Sequence, residues 1–202
     1  MEIQRKSLTQ LFVPICFETL FYMLSGMVDT LMLSSVSDQA VGAVGTANTY
    51  IGVFIIMFGV ISSGMVAVMT QNIGAGKPGV AYQARQLGLI FNAVVGVMMS
   101  VFLAVFSGKI LEIVSIAPAL FTPAETYLKI VGGACFLNAL IPIFSSYLRV
   151  FGYTRQSLFA SITGNIINFI LNSVFLFVMN WGVMGVAIAT VISRVINLIM
   201  VA

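Results

Sequence analysis

No histidine occurs anywhere in the 202 residues, and only 7% of them are charged. Soluble domains carry about a quarter charged residues and are about half apolar, whereas 60% of this chain is hydrophobic. The scarcity of charge excludes a soluble fold. The missing histidine removes His-based metal sites and the Ser-His or Cys-His pairs of nucleophilic catalysis, and no Gly-x-Ser-x-Gly elbow occurs. Cysteine is scarce too: Cys16 and Cys135 both fall inside apolar runs, as small buried thiols rather than a disulfide framework. Nine Lys and Arg against six acids give a net charge of +3 with no clustering, so no nucleic-acid footprint is present. Gly74-Ala75-Gly76-Lys77-Pro78 superficially suggests a phosphate loop, but the Walker pattern needs Gly where Gln71 stands and Ser or Thr where Pro78 stands. It reads as a tight turn. No enzyme site, cofactor or metal cluster is expected.

What is abundant is apolar length. A hydrocarbon core of about 30 Å needs about 20 mostly apolar residues per helix. Applied along the chain, that length predicts an all-α integral membrane protein with six spans, over 11–33, 47–69, 87–106, 127–147, 158–179 and 183–201. The joints hold breakers: Ser34 to Asp38, Gly74 to Gly79, Ala117-Pro118, Gly152 to Arg155 and Asn180-Trp181-Gly182. Arg5 and Lys6 precede the first span as in a signal peptide, but Glu18 interrupts it and no small-residue cleavage site follows, so it reads as a retained helix.

Lys and Arg stay on the cytoplasmic side of a membrane. Arg5, Lys6, Lys77, Arg85, Arg149 and Arg155 fall on one side of this layout, and Arg194 lies toward the same side in the last span. Only Lys109 and Lys129 fall opposite. Both termini are therefore expected inside, in a cell membrane of bacterial inner-membrane type, with the lipid bilayer as the first partner. A six-span unit leaves the membrane on the side where it entered, so a second copy would repeat in the same orientation, as in parallel-repeat transporters. The chain ends at Ala202 on an apolar run without a polar tail, and residues 1–202 are expected to be an N-terminal lobe whose C-terminal lobe is absent.

Polar residues inside spans are costly, about 2.5 to 3.5 kcal/mol each for a charge at the helix centre. Glu18, Tyr22, Ser25 and Asp29 form one stripe on the first span, with the two acids about 16 Å apart along the axis. Asn165, Asn168 and Asn172, extended by Ser161, form another on the fifth, and Thr190 follows in the sixth. Counted from the outer ends of their spans, Asp29, Asn172 and Thr190 come to one level. Glu18, Tyr22, Ser25 and Asn165 are candidate cavity-lining residues. Two plainer readings stand beside this: Asp29 as a hydrated helix-end residue, and asparagines that only bond across helices. A carboxylate flanked by amide and hydroxyl oxygens can take up either a proton or a small hard cation such as Na⁺, and composition does not choose between them. Gly88, Asn92 and Gly96 make a small-and-polar line for close packing on the third span.

At these residues the chain resembles the multidrug and toxic compound extrusion (MATE) family. The resemblance is carried by the helix from Pro14 to Asp29 with Val28-Asp29-Thr30, by Ala40 to Val44, and by Gln71-Asn72-Ile73-Gly74-Ala75-Gly76. It continues through Leu148-Arg149-Val150-Phe151-Gly152, the run Asn165 to Asn172, and Gly185 to Arg194. It implies one six-helix lobe of a two-lobe (6+6) antiporter, in which H⁺ or Na⁺ entry drives export of amphipathic or cationic small molecules by alternating access. It further implies that Asp29 is the coupling acid, with Asn168, Asn172 and Thr190 as neighbours and Asp29 as the place for Na⁺ if Na⁺ is the ion. Some members have Asp where this chain has Asn172, so the charge here falls on Asp29 alone. A flippase for lipid-linked oligosaccharide or polysaccharide shares the plan but is expected to show a more basic cavity. A channel or a non-transporting scaffold would tolerate neutralisation of Asp29.

Overall fold

The computed structural model describes residues 7–202, apart from the side chains of Leu8 and Tyr22, so Arg5, Lys6 and the Tyr22 side chain lie outside the described residues. Seven α-helices follow one another: α1 (Leu8–Ser34), α2 (Asp38–Gly74), α3 (Pro78–Ile113), α4 (Pro118–Tyr127), α5 (Cys135–Val150), α6 (Thr154–Ser173) and α7 (Gly182–Val201). Two π-helical turns, Leu128–Gly132 and Val174–Val178, extend α4 and α6. Five helices are long and apolar enough to cross a membrane, and α4 with α5, bent by 43° at a short break, make a sixth crossing. The protein is an all-α membrane bundle with no strand among the described residues.

The turns are short because local chemistry closes them. After α2, Gly76 takes φ 73°, Gly76 N–H bonds to Ile73 O and Lys77 N–H to Asn72 O at 2.8 Å. Gly152 after α5 repeats this at φ 86°, with Tyr153 N–H on Leu148 O at 2.8 Å. Both are Schellman caps, in which glycine accepts the left-handed conformation and the freed carbonyls find donors. The Gly74 to Pro78 segment is thus a helix stop, with Pro78 beginning the next helix where its missing N–H costs nothing. These two turns share one end of the bundle, where Met69, Ile73, Tyr147 and Phe151 line a common cleft. Lys77 and Arg155 sit there, so this is the end that the retention of Lys and Arg on the cytoplasmic side assigns as inner.

Three spans differ in extent from those predicted. The spans over 47–69 and 87–106 are only the apolar middles of α2 and α3, which run to 37 and 36 residues. At 1.5 Å per residue each is roughly 55 Å long, beyond any hydrocarbon core. Apolar content marks the lipid-crossing part of a helix but not its polar ends. The span over 127–147 is the second part of a crossing that starts at Pro118 and bends near Gly132 and Gly133. Backbone groups near the break acquire side-chain partners from α2 and α3. Ser100 Oγ accepts from Phe136 N–H at 2.8 Å, Asn92 Nδ2 donates to Ala139 O at 3.0 Å, and Ser62 Oγ donates to Pro142 O at 3.0 Å. In lipid such groups have no water to turn to, so the polar residues collect where the helix is irregular.

Burial does not separate apolar from polar as in a soluble protein: Phe58, Leu103 and Ile143 are buried, but so are many small and polar residues. Ala43, Ala47, Ala139, Ala187, Asn92 and Ser107 are fully buried, while Ile56, Ile113, Ile199 and Val178 are largely exposed. Lipid is as apolar as leucine, so packing rather than exclusion from water holds such helices together, and small residues let the backbones approach. A Cβ on Gly96 of α3 would stand 2.7 Å from Ala139 Cβ and 3.1 Å from Phe136 Cα on α5. One on Gly88 would meet Met65 Sδ at 3.0 Å, a flexible side chain. Gly96→Ala is therefore expected to lower the thermal unfolding midpoint of the detergent-solubilised protein, at a cost of about 1–3 kcal/mol for overpacking. Gly88→Ala should cost clearly less, and equal losses would show that the α3–α5 contact is not the rigid one.

Candidate functional site

Helix α1 lies along α6, and its polar stripe faces that helix. Toward the outer end Asn172 Nδ2 donates to Asp29 Oδ1 at 2.8 Å. Asn168, one turn inward on α6, points its amide at the same carboxylate. With nitrogen toward Asp29 it donates to Oδ1 at 2.9 Å and Oδ2 at 3.2 Å. With oxygen there it accepts from Asn172 Nδ2 at 3.2 Å, and toward Asp29 it suits a carboxyl that carries a proton or a cation held between them. Asn168 is buried and Asn172 fully so, and Asn172 Oδ1 has no partner. One carboxylate and two amides from two helices thus form a compact cluster with an unused acceptor.

Further inward the seam continues. Asn165 Nδ2 reaches Phe21 O at 3.5 Å, a long contact, and Ser25 and Ser161 are half-buried. At the cytoplasmic end Glu18 is held by Arg149 Nη2 at 2.6 Å and by the Ser157 hydroxyl, which stands 3.2 and 3.3 Å from its two oxygens. Glu18 and Asp29 both face α6, as their eleven-residue spacing predicts, but Glu18 has its own cationic partner.

Thr190 is buried on α7, where its hydroxyl donates to Val186 O at 2.8 Å. Beside it lies Tyr127, a buried residue whose hydroxyl also neighbours Asn48, and among the described residues no hydrogen bond joins Thr190 to Asp29. Tyr127 was not singled out in the sequence because it marked the edge of a predicted span. A buried tyrosine needs a partner for its hydroxyl, and that requirement is the available signal. Arg194 lies on α7, and its Nη1 is buried without a hydrogen-bond partner. The sequence layout set it toward the inner end of its span. Among the described residues no group of His, Cys, Asp and Glu is arranged to hold a metal ion by itself.

The MatE family model matches residues 14–174, most of the chain and the whole of the α1–α6 seam. The chain belongs to the MatE family. This is a family of transporters, not of enzymes. The chain is 36% identical over 197 residues to the uncharacterized transporter YisQ of Bacillus subtilis, covering 96% of this chain and 43% of YisQ. It is 30% identical over 209 residues to the probable multidrug resistance protein NorM of Thermotoga maritima, covering 96% of this chain and 42% of NorM. A MOP-superfamily transporter structure from Pyrococcus furiosus superposes with a TM-score of 0.88 at 20% identity, over 96% of this chain and 43% of that one. The chain thus spans about two-fifths of the length of the curated relatives it matches, and its fold is that of one MatE lobe.

Within this MatE lobe the strength of the seam is unequal along its length. Hydrogen bonds inside membranes average about 0.6 kcal/mol, while those to charged groups reach about 1.5–3 kcal/mol. Asn172→Ala is expected to lower the thermal midpoint and to raise hydrogen exchange in α1, whereas Asn165→Ala, which loses only the 3.5 Å contact, should leave both near wild type. Equal effects would place the hold on α1 elsewhere than at Asp29.

Proposed function

We propose that this chain forms the ion-coupling lobe of a secondary-active exporter, in which H⁺ or Na⁺ moving inward drives amphipathic or cationic small molecules out by alternating access. The single observation that carries the reading is the Asp29 carboxylate, held by Asn172 at 2.8 Å between two membrane helices. An acid in that position is rare unless it serves a pathway. The cluster has the parts a coupling site needs: one titratable oxygen pair, and an Asn168 amide that offers nitrogen to a bare carboxylate or oxygen to a proton or cation. Thr190 and Tyr127 supply further oxygens from α7 and α4. Substrate would be shared with a second lobe, and the natural setting is a bacterial inner membrane. The names of the multidrug resistance relatives support the cargo class. A lipid-linked oligosaccharide flippase would favour a basic interior free to bind an anion, whereas the guanidinium in this seam, Arg149, is paired with Glu18 at 2.6 Å.

The test is gradient-driven efflux of a lipophilic cation by the full-length protein and its Asp29→Asn variant, in everted vesicles energised with a proton gradient or with Na⁺. Coupled efflux should fall to background in the variant while membrane insertion is retained. Wild-type coupled efflux by Asp29→Asn would refute the assignment and favour a channel or scaffold.

A further inference from the structure

The Glu18 cluster at the cytoplasmic end is the strongest feature that ion coupling at Asp29 leaves unused. Among the described residues, polar contacts from α1 to other helices fall at three levels: Asp29 at the outer end, the long contact of Asn165 with the Phe21 carbonyl in the middle, and Glu18 at the inner end. The Glu18 contact is the strongest in kind. A guanidinium keeps its charge at any pH a cell meets, and it bonds a carboxylate that is only 14% exposed. Ser157 of α6 donates to the same carboxylate, so three helices, α1, α5 and α6, meet in one cluster. Arg149 sits in the last turn of α5, directly before the Gly152 turn, and Ser157 lies in the first turn of α6. The cluster therefore grips α1 at the tightly closed corner of the lobe.

The two ends of α1 respond differently to an arriving cation. At Asp29 a proton on Oδ2 turns an acceptor into a donor, so Asn168, which faces both oxygens, must offer its amide oxygen instead of its nitrogen, while Asn172 can keep its bond to Oδ1. At Glu18 the acid already has a permanent cation. The ends are eleven residues apart, about 16 Å along the helix, so a change at one does not touch the other directly.

Resting on the ion-coupling reading above, we infer that Glu18, Arg149 and Ser157 are a fixed inner clamp on α1, a set of positioning residues about which occupancy of Asp29 moves the outer part of the helix. The clamp converts a local change of bonding into displacement of α1 against α6. Without it, α1 would loosen along its whole length, and cation binding would no longer be transmitted to the substrate path.

The experiment uses the full-length transporter in proteoliposomes with Glu18→Gln, Arg149→Gln, Ser157→Ala and the charge exchange Glu18→Arg with Arg149→Glu, beside Asp29→Asn. Efflux is read together with spin-label distances, one pair at the inner end (Thr9 and Gln156) and one at the outer end (Thr30 and Val178). In the parent, changing cation occupancy should alter the outer distance and leave the inner one fixed. Glu18→Gln and Arg149→Gln should each broaden the inner distance and reduce coupled efflux about tenfold, with Ser157→Ala milder in the same direction. The charge exchange should bring efflux back to within about twofold of the parent. The inference is overturned if the single variants keep parental efflux and a sharp inner distance, or if the exchanged pair inserts normally and is as defective as the singles. Should Glu18→Gln fail to insert, the milder Ser157→Ala and the exchanged pair decide by the same criteria. Loss of efflux in Asp29→Asn with no effect of the clamp variants defeats the clamp alone, while coupled efflux in Asp29→Asn defeats the coupling reading beneath it.

Discussion

In the hydrocarbon core of a bilayer, a polar group that leaves its partner finds no water to replace it. Most of what is particular to this lobe follows from that constraint. Helices close on themselves, two of the turns between them are capped by glycine so that the last carbonyls find donors, and the one broken crossing is lined by Asn92, Ser100 and Ser62. The same constraint makes the α1–α6 seam specific. Its acids are tied to named partners at both ends, and any event that alters one carboxylate must be answered by a rearrangement among those partners.

The division of labour between the helices also follows. Helices α2, α3 and α5 pack through alanine and glycine, with backbones so close that a single Cβ at Gly96 has no room. Helix α1 lacks such contacts: most of its large apolar side chains, among them Phe12, Leu20, Met27 and Leu31, face outward. A rigid core therefore carries a helix held largely by polar bonds, and polar bonds are the kind that a proton or cation can rewrite. This is the physical basis for placing response to an ion in α1 rather than in α3 or α5.

Much of this was legible in the residues themselves. Six apolar lengths separated by turn residues locate six crossings, and the spacing of Glu18, Ser25 and Asp29 with that of Asn165, Asn168 and Asn172 gives two stripes on two helices. Family membership and the one-lobe fold agree with the resemblance read from the motifs. Three features were not legible, each for a physical reason. Hydropathy sees where lipid contacts a helix but not where the helix stops, so α2 and α3 ran longer than their apolar middles. The bend near Gly132 depends on partners supplied by α2 and α3, which no local pattern carries. The pairing of Glu18 with Arg149 is a contact across a large sequence separation whose geometry depends on how helices tilt and side chains lean.

The central claim is that the outer part of the α1–α6 seam is where this lobe senses a cation. Hydrogen–deuterium exchange of the full-length protein in nanodiscs, at saturating H⁺ or Na⁺ and in its absence, addresses it directly. The account predicts a change in exchange concentrated in residues 26–34 and 166–178, with residues 92–103 of α3 unaltered. A change spread evenly over all helices, or none in α1 and α6 under conditions that support transport, would contradict it.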